Sequence, residues 1–181
     1  MSQRAIIVVD LQNEYLSSGK LPLVGLEAAL TNAKRIIEAA RAKGELLIHV
    51  RHEMNLPNAP LFVPGSEGVQ IIAAVAPAEG EAVILKNHPN SFRETELKKM
   101  LDEQGIKDLV VMGAMSHMCI EATTRAAADF GFSVTVVHDA CATRDLEFAD
   151  TKVPACQVHA ASMAALAFAY ASIITTDAHL A

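Results

Sequence analysis

Tryptophan is missing from this 181-residue chain, tyrosine occurs twice, and aromatic residues together make up 4 %. A ligand pocket built from it has few aromatic walls to draw on. The cysteines number three, an odd count in a chain this long, which excludes a disulfide scaffold. Positive charge is in deficit: 15 Lys and Arg against 21 Asp and Glu leave a net charge of −6. That balance argues against nucleic acid or an anionic membrane surface as a partner. The most apolar stretch, residues 160–174, is too short to span a bilayer and is rich in Ala. The chain also lacks a Gly-x-Gly-x-x-Gly turn, a P-loop, a Cys-x-x-Cys pair and a Gly-x-Ser-x-Gly elbow. No nucleotide cofactor and no ordinary serine hydrolase are therefore expected.

Apolar residues are plentiful, at 51 %, which excludes intrinsic disorder and supplies a sizeable core. The length fits one domain, residues 1–181. The first apolar run, Ala5 to Val9, is short and stops at Asp10, unlike a signal-peptide core, so a cytoplasmic location is expected. Similar β-branched runs recur at Glu45–Val50, Ala82–Leu85, Leu109–Met112, Ser133–Val137 and, more weakly, Ser172–Thr175. Most lack period-two alternation, as strands covered on both faces do. Helical spacing fills the gaps: Leu26 to Ala42 before a Lys43-Gly44 stop, Thr95 to Gln104, Cys119 to Phe130 and Pro154 to Ala171. Alternating strands and helices predict an α/β, doubly wound, mainly parallel six-stranded sheet with helices on both faces. The irregular stretch from Glu53 to Gly68 reads as a long surface loop near a pocket.

In such a sheet, ligands bind beyond the carboxyl ends of the strands. Three reactive groups fall there: Asp10 after the first strand, Lys86 after the third, and Cys119 in the loop-to-helix turn after the fourth. A thiol at a helix start has its thiolate favoured by backbone N–H groups, and a neighbouring carboxylate can take its proton. A lysine keeps that carboxylate ionised and is expected to lower the thiol pKa. Cys141, in the turn after the fifth strand, and Cys156, at a helix interface, read as structural thiols.

The segments Val8-Val9-Asp10-Leu11-Gln12-Asn13, Leu85-Lys86 with Asn90-Ser91-Phe92, and Gly113-Ala114-Met115-Ser116-His117-Met118-Cys119-Ile120 with Thr123-Thr124-Arg125 resemble the signature segments of the isochorismatase-like cysteine hydrolases. Val137 to Ala142 resembles the next strand of that family and its Asp-Ala turn. The match is ordered and spans nearly the whole chain. The Gly113–Cys119 segment is most similar to the streptothricin-hydrolase-like branch. The resemblance implies a catalytic Asp10, Lys86 and Cys119 triad and a cis peptide at Ala114–Met115. It also implies an oxyanion hole from the Met115 and Cys119 N–H groups. Cleavage of a C–N bond in a small-molecule amide or lactam through a thioester is the activity it implies, without a cofactor and in a homo-oligomer. Two alternatives are a metal-assisted, nicotinamidase-like amidase and a catalytically idle binding module. No Asp-x-His pair follows the second strand, and His49 and His52 point to opposite faces of a strand, so no metal is expected. Tyr15, His52, Phe92 and His117 are the candidate pocket residues, Arg125 is expected in a structural ion pair, and the scarcity of aromatics favours a small polar or aliphatic substrate.

Overall fold

A computed structural model describes residues 4–181. In chain order the elements are β1 (Arg4–Val9), α1 (Leu26–Lys43), β2 (Leu46–His52), β3 (Ala82–Lys86), α2 (Leu97–Glu103), β4 (Asp108–Ala114) and α3 (Glu121–Asp129). They continue with β5 (Ser133–Ala142), β6 (Leu146–Phe148), β7 (Thr151–Val153), α4 (Ala155–Ala169), β8 (Ser172–Ile174) and α5 (Thr176–Leu180). Six strands form one sheet in the order β3-β2-β1-β4-β5-β8, and every neighbouring pair is parallel. The small β6-β7 hairpin stands apart from it.

The β-branched runs become strands because both faces of the sheet are covered, so no polar side of the strand is needed. Along β1, Ile6 and Val8 join one core with Ala33, Ile37 and Ala40 of α1, while Ala5, Ile7 and Val9 join the other with Leu97, Leu101 and Ala127. α1 ends at Gly44, whose left-handed φ of 63° lets its N–H cap the carbonyls of Ala40 and Arg41.

Strand order reverses direction between β1 and β4, the switch point at which doubly wound sheets open a crevice. The two backbones close tightly there. A Cβ added at Gly113 would lie 1.9 Å from the Val9 carbonyl oxygen, and Gly113 has a φ of 130°. Gly113→Ala is expected to lose about 3 kcal/mol or more of stability, from a backbone clash added to an unfavourable dihedral. Urea unfolding reads this directly, and a loss below about 1 kcal/mol would contradict it.

The structure moves several boundaries. Cys141 lies within β5 and not in a turn after it. Cys156 is exposed on α4 and does not face a helix interface, because the buried stripe of that helix runs through Ala155, Val158, Ser162 and Leu166. The hairpin β6-β7 and the short α5 have no counterpart in the sequence pattern. No helix among the described residues is long and apolar enough to cross a membrane.

Candidate active site

β1 stops at Val9 and delivers Asp10 in a left-handed conformation (φ 52°), which Asp tolerates better than most residues. The Asp10 side chain is fully buried. From β3, two strands away, Lys86 reaches across the sheet edge and places Nζ 2.6 Å from Asp10 Oδ2. The approach is that of an ion pair rather than a directional hydrogen bond, and the Cys119 thiol also lies within hydrogen-bonding influence of the Asp10 carboxylate. Lys86 Nζ also donates to Cys119 Sγ at 3.3 Å and to His52 Nδ1 at 3.3 Å. The acid, the amine and the thiol are thus brought together, from three segments far apart in the chain.

Cys119 is carried differently from the first turn of a regular α-helix. Ser116–Ile120 form a π-helical turn in which the Ile120 N–H donates to the Met115 carbonyl, and α3 begins only at Glu121. The preceding Ala114–Met115 peptide is cis. Met115 N–H has no partner among the described residues. The turn is braced from behind. Ser116 Oγ lies 2.8 Å from His159 Nδ1 on α4, and His117 Nδ1 lies 2.7 Å from Thr143 Oγ1.

The electrostatics correct one expectation. Burial is the largest influence on the Cys119 thiol and pushes its pKa well above the ordinary value; the Asp10 carboxylate adds to this, and Lys86 opposes it without prevailing. Cys119 therefore rests as a thiol. Burial likewise raises Asp10, against the pull of Lys86. Lys86 stays an ammonium: burial disfavours its charge, but Asp10 and Cys119 outweigh that and raise its pKa. Thiol labelling of the folded protein should accordingly show one fast cysteine, the exposed Cys156, with Cys119 and Cys141 slow. Cys156→Ser should remove the fast phase; a fast phase that survives would show that Cys119 is ionised at rest.

A cavity of about 520 Å³ opens above Cys119. Tyr15 and His52 line it, together with Met115 and Cys119. Phe92 and His117 do not. Phe92 turns back into the core against Phe130 and Phe132, because the chain reverses after Lys86 to start α2. His117 faces away toward Thr143. The remaining wall comes from Leu21, from Met54, Asn55, Leu56, Leu61 and Phe62 of the long loop, from Asn87, His88, Pro89 and Glu94, and from Met118. Of these, only the loop was signalled by the sequence. Gln12 is a positioning residue that pattern alone does not single out. It is fully buried, donates to the carbonyls of His52 and Val69, and accepts from the His52 N–H. Glu14, also buried, accepts from the Phe62 N–H and holds the loop over the cavity.

The two histidines of β2 face apart: His49 Nε2 meets Glu81 at 3.1 Å, whereas His52 meets Lys86. Among the described residues no cluster of three or more His, Cys, Asp or Glu side chains is placed to hold a metal ion. Arg125 pairs with Glu121 on its own helix and stacks on Tyr170, away from the cavity.

Residues 4–178 match the isochorismatase domain. The chain is 47 % identical to the isochorismatase-family protein YddQ of Bacillus subtilis over 97 % of its own length and 98 % of the relative. It is 32 % identical to a streptothricin hydrolase of Streptomyces noursei, covering 79 % of this chain and 51 % of that protein. A solved isochorismatase from Pseudomonas putida superposes with a TM-score of 0.91 at 41 % identity, covering 98 % of this chain and 91 % of the other. By sequence and fold, the chain belongs to the isochorismatase family of hydrolases.

Proposed function

We propose that the protein is a cysteine hydrolase that cleaves the C–N bond of a small-molecule amide or lactam through a thioester on Cys119. The observation that carries this reading is the buried Asp10, Lys86 and Cys119 cluster at the floor of an accessible cavity. A binding module has no need of an ionised acid, an amine and a thiol in one dry site. Similarity to a streptothricin hydrolase supports hydrolysis as the reaction class.

In this scheme Asp10 takes the thiol proton as Cys119 Sγ attacks the amide carbonyl carbon. The N–H groups of Met115 and Cys119 receive the oxyanion. The tetrahedral adduct collapses, the C–N bond breaks, and protonated Asp10 gives its proton to the departing amine. Asp10 then takes a proton from water, whose oxygen attacks the thioester. Collapse releases the acid, and Cys119 regains its proton. Lys86 holds Asp10 in place and favours its carboxylate form before each proton transfer.

The test is a panel of linear amides, lactams, carbamates and imides, each assayed for release of ammonia, amine or acid, with Cys119→Ala protein as the blank. Cysteine-dependent turnover of at least one C–N substrate supports the proposal. Activity that persists in the Cys119→Ala protein overturns the thioester route. Tight binding without turnover across the panel favours an idle module.

A further inference from the structure

His52 stands at the end of β2 with its backbone clamped on both sides by Gln12, its N–H held at 2.7 Å and its carbonyl at 2.9 Å. Its ring packs edge-on against Phe62, centroids 5.2 Å apart and planes at 83°. Rotation of the side chain is thereby restricted. Nδ1 faces Lys86 Nζ at 3.3 Å. An ammonium has hydrogens and no lone pair, so Nδ1 must accept. A neutral ring that accepts at Nδ1 carries its proton on Nε2. The ring is neutral at physiological pH, since burial, then the charges of Lys86 and His88, push its pKa down to about 4. Nε2 has no partner among the described residues, yet it is not sealed off from solvent. The residue lines the cavity.

The charges around that cavity are equally restrictive. Its lining holds no Lys or Arg, and its one carboxylate, Glu94, pairs with His88 at 3.1 Å. Lys86, behind His52 and Cys119, is already committed to Asp10. A carboxylate brought in here would lose its water and meet no free lysine or arginine. The walls are otherwise mostly Leu, Met and aromatic side chains.

From this we propose that His52 is a specificity residue that offers Nε2–H to a hydrogen-bond acceptor on an apolar, uncharged amide, and that the cavity rejects amides carrying a carboxylate. An analogue without the acceptor leaves a donor unpaired in an apolar pocket, and a carboxylate is desolvated without a cation; both are strong grounds for discrimination. The inference rests on the amide-hydrolase reading, but it is tested by binding, which does not require turnover.

Three probes of one shape serve: cyclohexanecarboxamide, its ring-ether analogue oxane-4-carboxamide, and the 4-carboxylate derivative of the first. Affinities are measured by calorimetry on folded Cys119→Ala protein, with and without His52→Phe. The ether is expected to bind about 3- to 10-fold more tightly than the carbocycle, and the carboxylate most weakly. His52→Phe should erase the ether preference while leaving carbocycle binding within about 3-fold. Nitrogen NMR of the histidines should show His52 as the Nε2–H form, with Nε2 shifting on addition of the ether. Tightest binding by the carboxylate, an ether preference that survives His52→Phe, or no binding by any probe overturns the proposal. An ether preference in a protein that hydrolyses nothing refutes the hydrolase reading alone; hydrolysis with no such preference refutes this inference alone.

Discussion

Replacing Cys119 by Ala is expected to lower amide hydrolysis at least about 10³-fold while leaving the fold in place, because the nucleophile of a covalent mechanism has no substitute. The stability change should be small. The side chain is buried but compact, and a perturbation of about 1 kcal/mol moves Tm by only about 2–4 °C in a chain of this size. Calorimetric unfolding and the ammonia assay together separate chemistry from folding. The pH profile adds a sharper criterion. Because burial and Asp10 hold the thiol well above its ordinary value of 9.0, kcat/KM should not climb with thiolate formation across the mildly alkaline range. It should fall on the acid side as Asp10, the base, is protonated. That fall begins above the ordinary carboxylate value of 3.8, since burial raises Asp10 in the folded protein. An activity that rises steeply with pH through the ordinary thiol range would mean that Cys119 ionises on its own and that Asp10 is not its base.

The convergence of Asp10, Lys86 and Cys119 was legible because topology, not proximity in sequence, collects the carboxyl ends of parallel strands at one edge. Asp10, Lys86 and Cys119 each end a strand or follow one closely, so reading the strands correctly was sufficient to bring them together. What periodicity does not carry is the direction of a side chain leaving a loop. Phe92 follows Lys86 within a few residues, yet it turns into the core against Phe132. His117, inside the π-helical turn, faces Thr143 for the same reason. The roles of Gln12 and Glu14 were illegible because a buried polar residue declares itself only through its partners, and those lie on β2 and the long loop. The β6-β7 hairpin escaped notice because its strands have three residues each and Phe148 on it is 84 % exposed, leaving no inward-outward alternation to detect.

Breaking the Lys86–Asp10 pair should produce the largest stability effect in the molecule. Both side chains are sealed from solvent, so removing one partner leaves a charge with neither water nor counter-ion. Lys86→Met and Asp10→Asn are each expected to lose about 3–5 kcal/mol by urea unfolding. Asn keeps the left-handed backbone at position 10, so its deficit reports the charge and not the dihedral. The Asp10→Asn/Lys86→Met double variant should recover part of the summed loss, with a coupling of about 1–3 kcal/mol, because neither orphan charge remains. The two single variants should then diverge with pH. In Lys86→Met protein the uncompensated Asp10 has a pKa raised further still. A carboxyl that binds its proton more tightly folded than unfolded gains stability as pH falls, so this deficit shrinks toward acid. Asp10→Asn leaves only an ammonium, whose orphaned charge carries no such relief in the acid range. Wild-type Lys86 has the same sign in a higher pH window: its raised pKa contributes stability that is fully present below its ordinary value of 10.5 and is lost as pH rises through the folded value. Single variants within about 1 kcal/mol of wild type, or equal deficits at all pH, would show that the pair is solvated and that Lys86 does not keep Asp10 ionised. The expected deficits and their pH dependence thus measure how strongly the pair is held against the desolvation of its own carboxylate, which the proposed role of Asp10 as base to the Cys119 thiol requires.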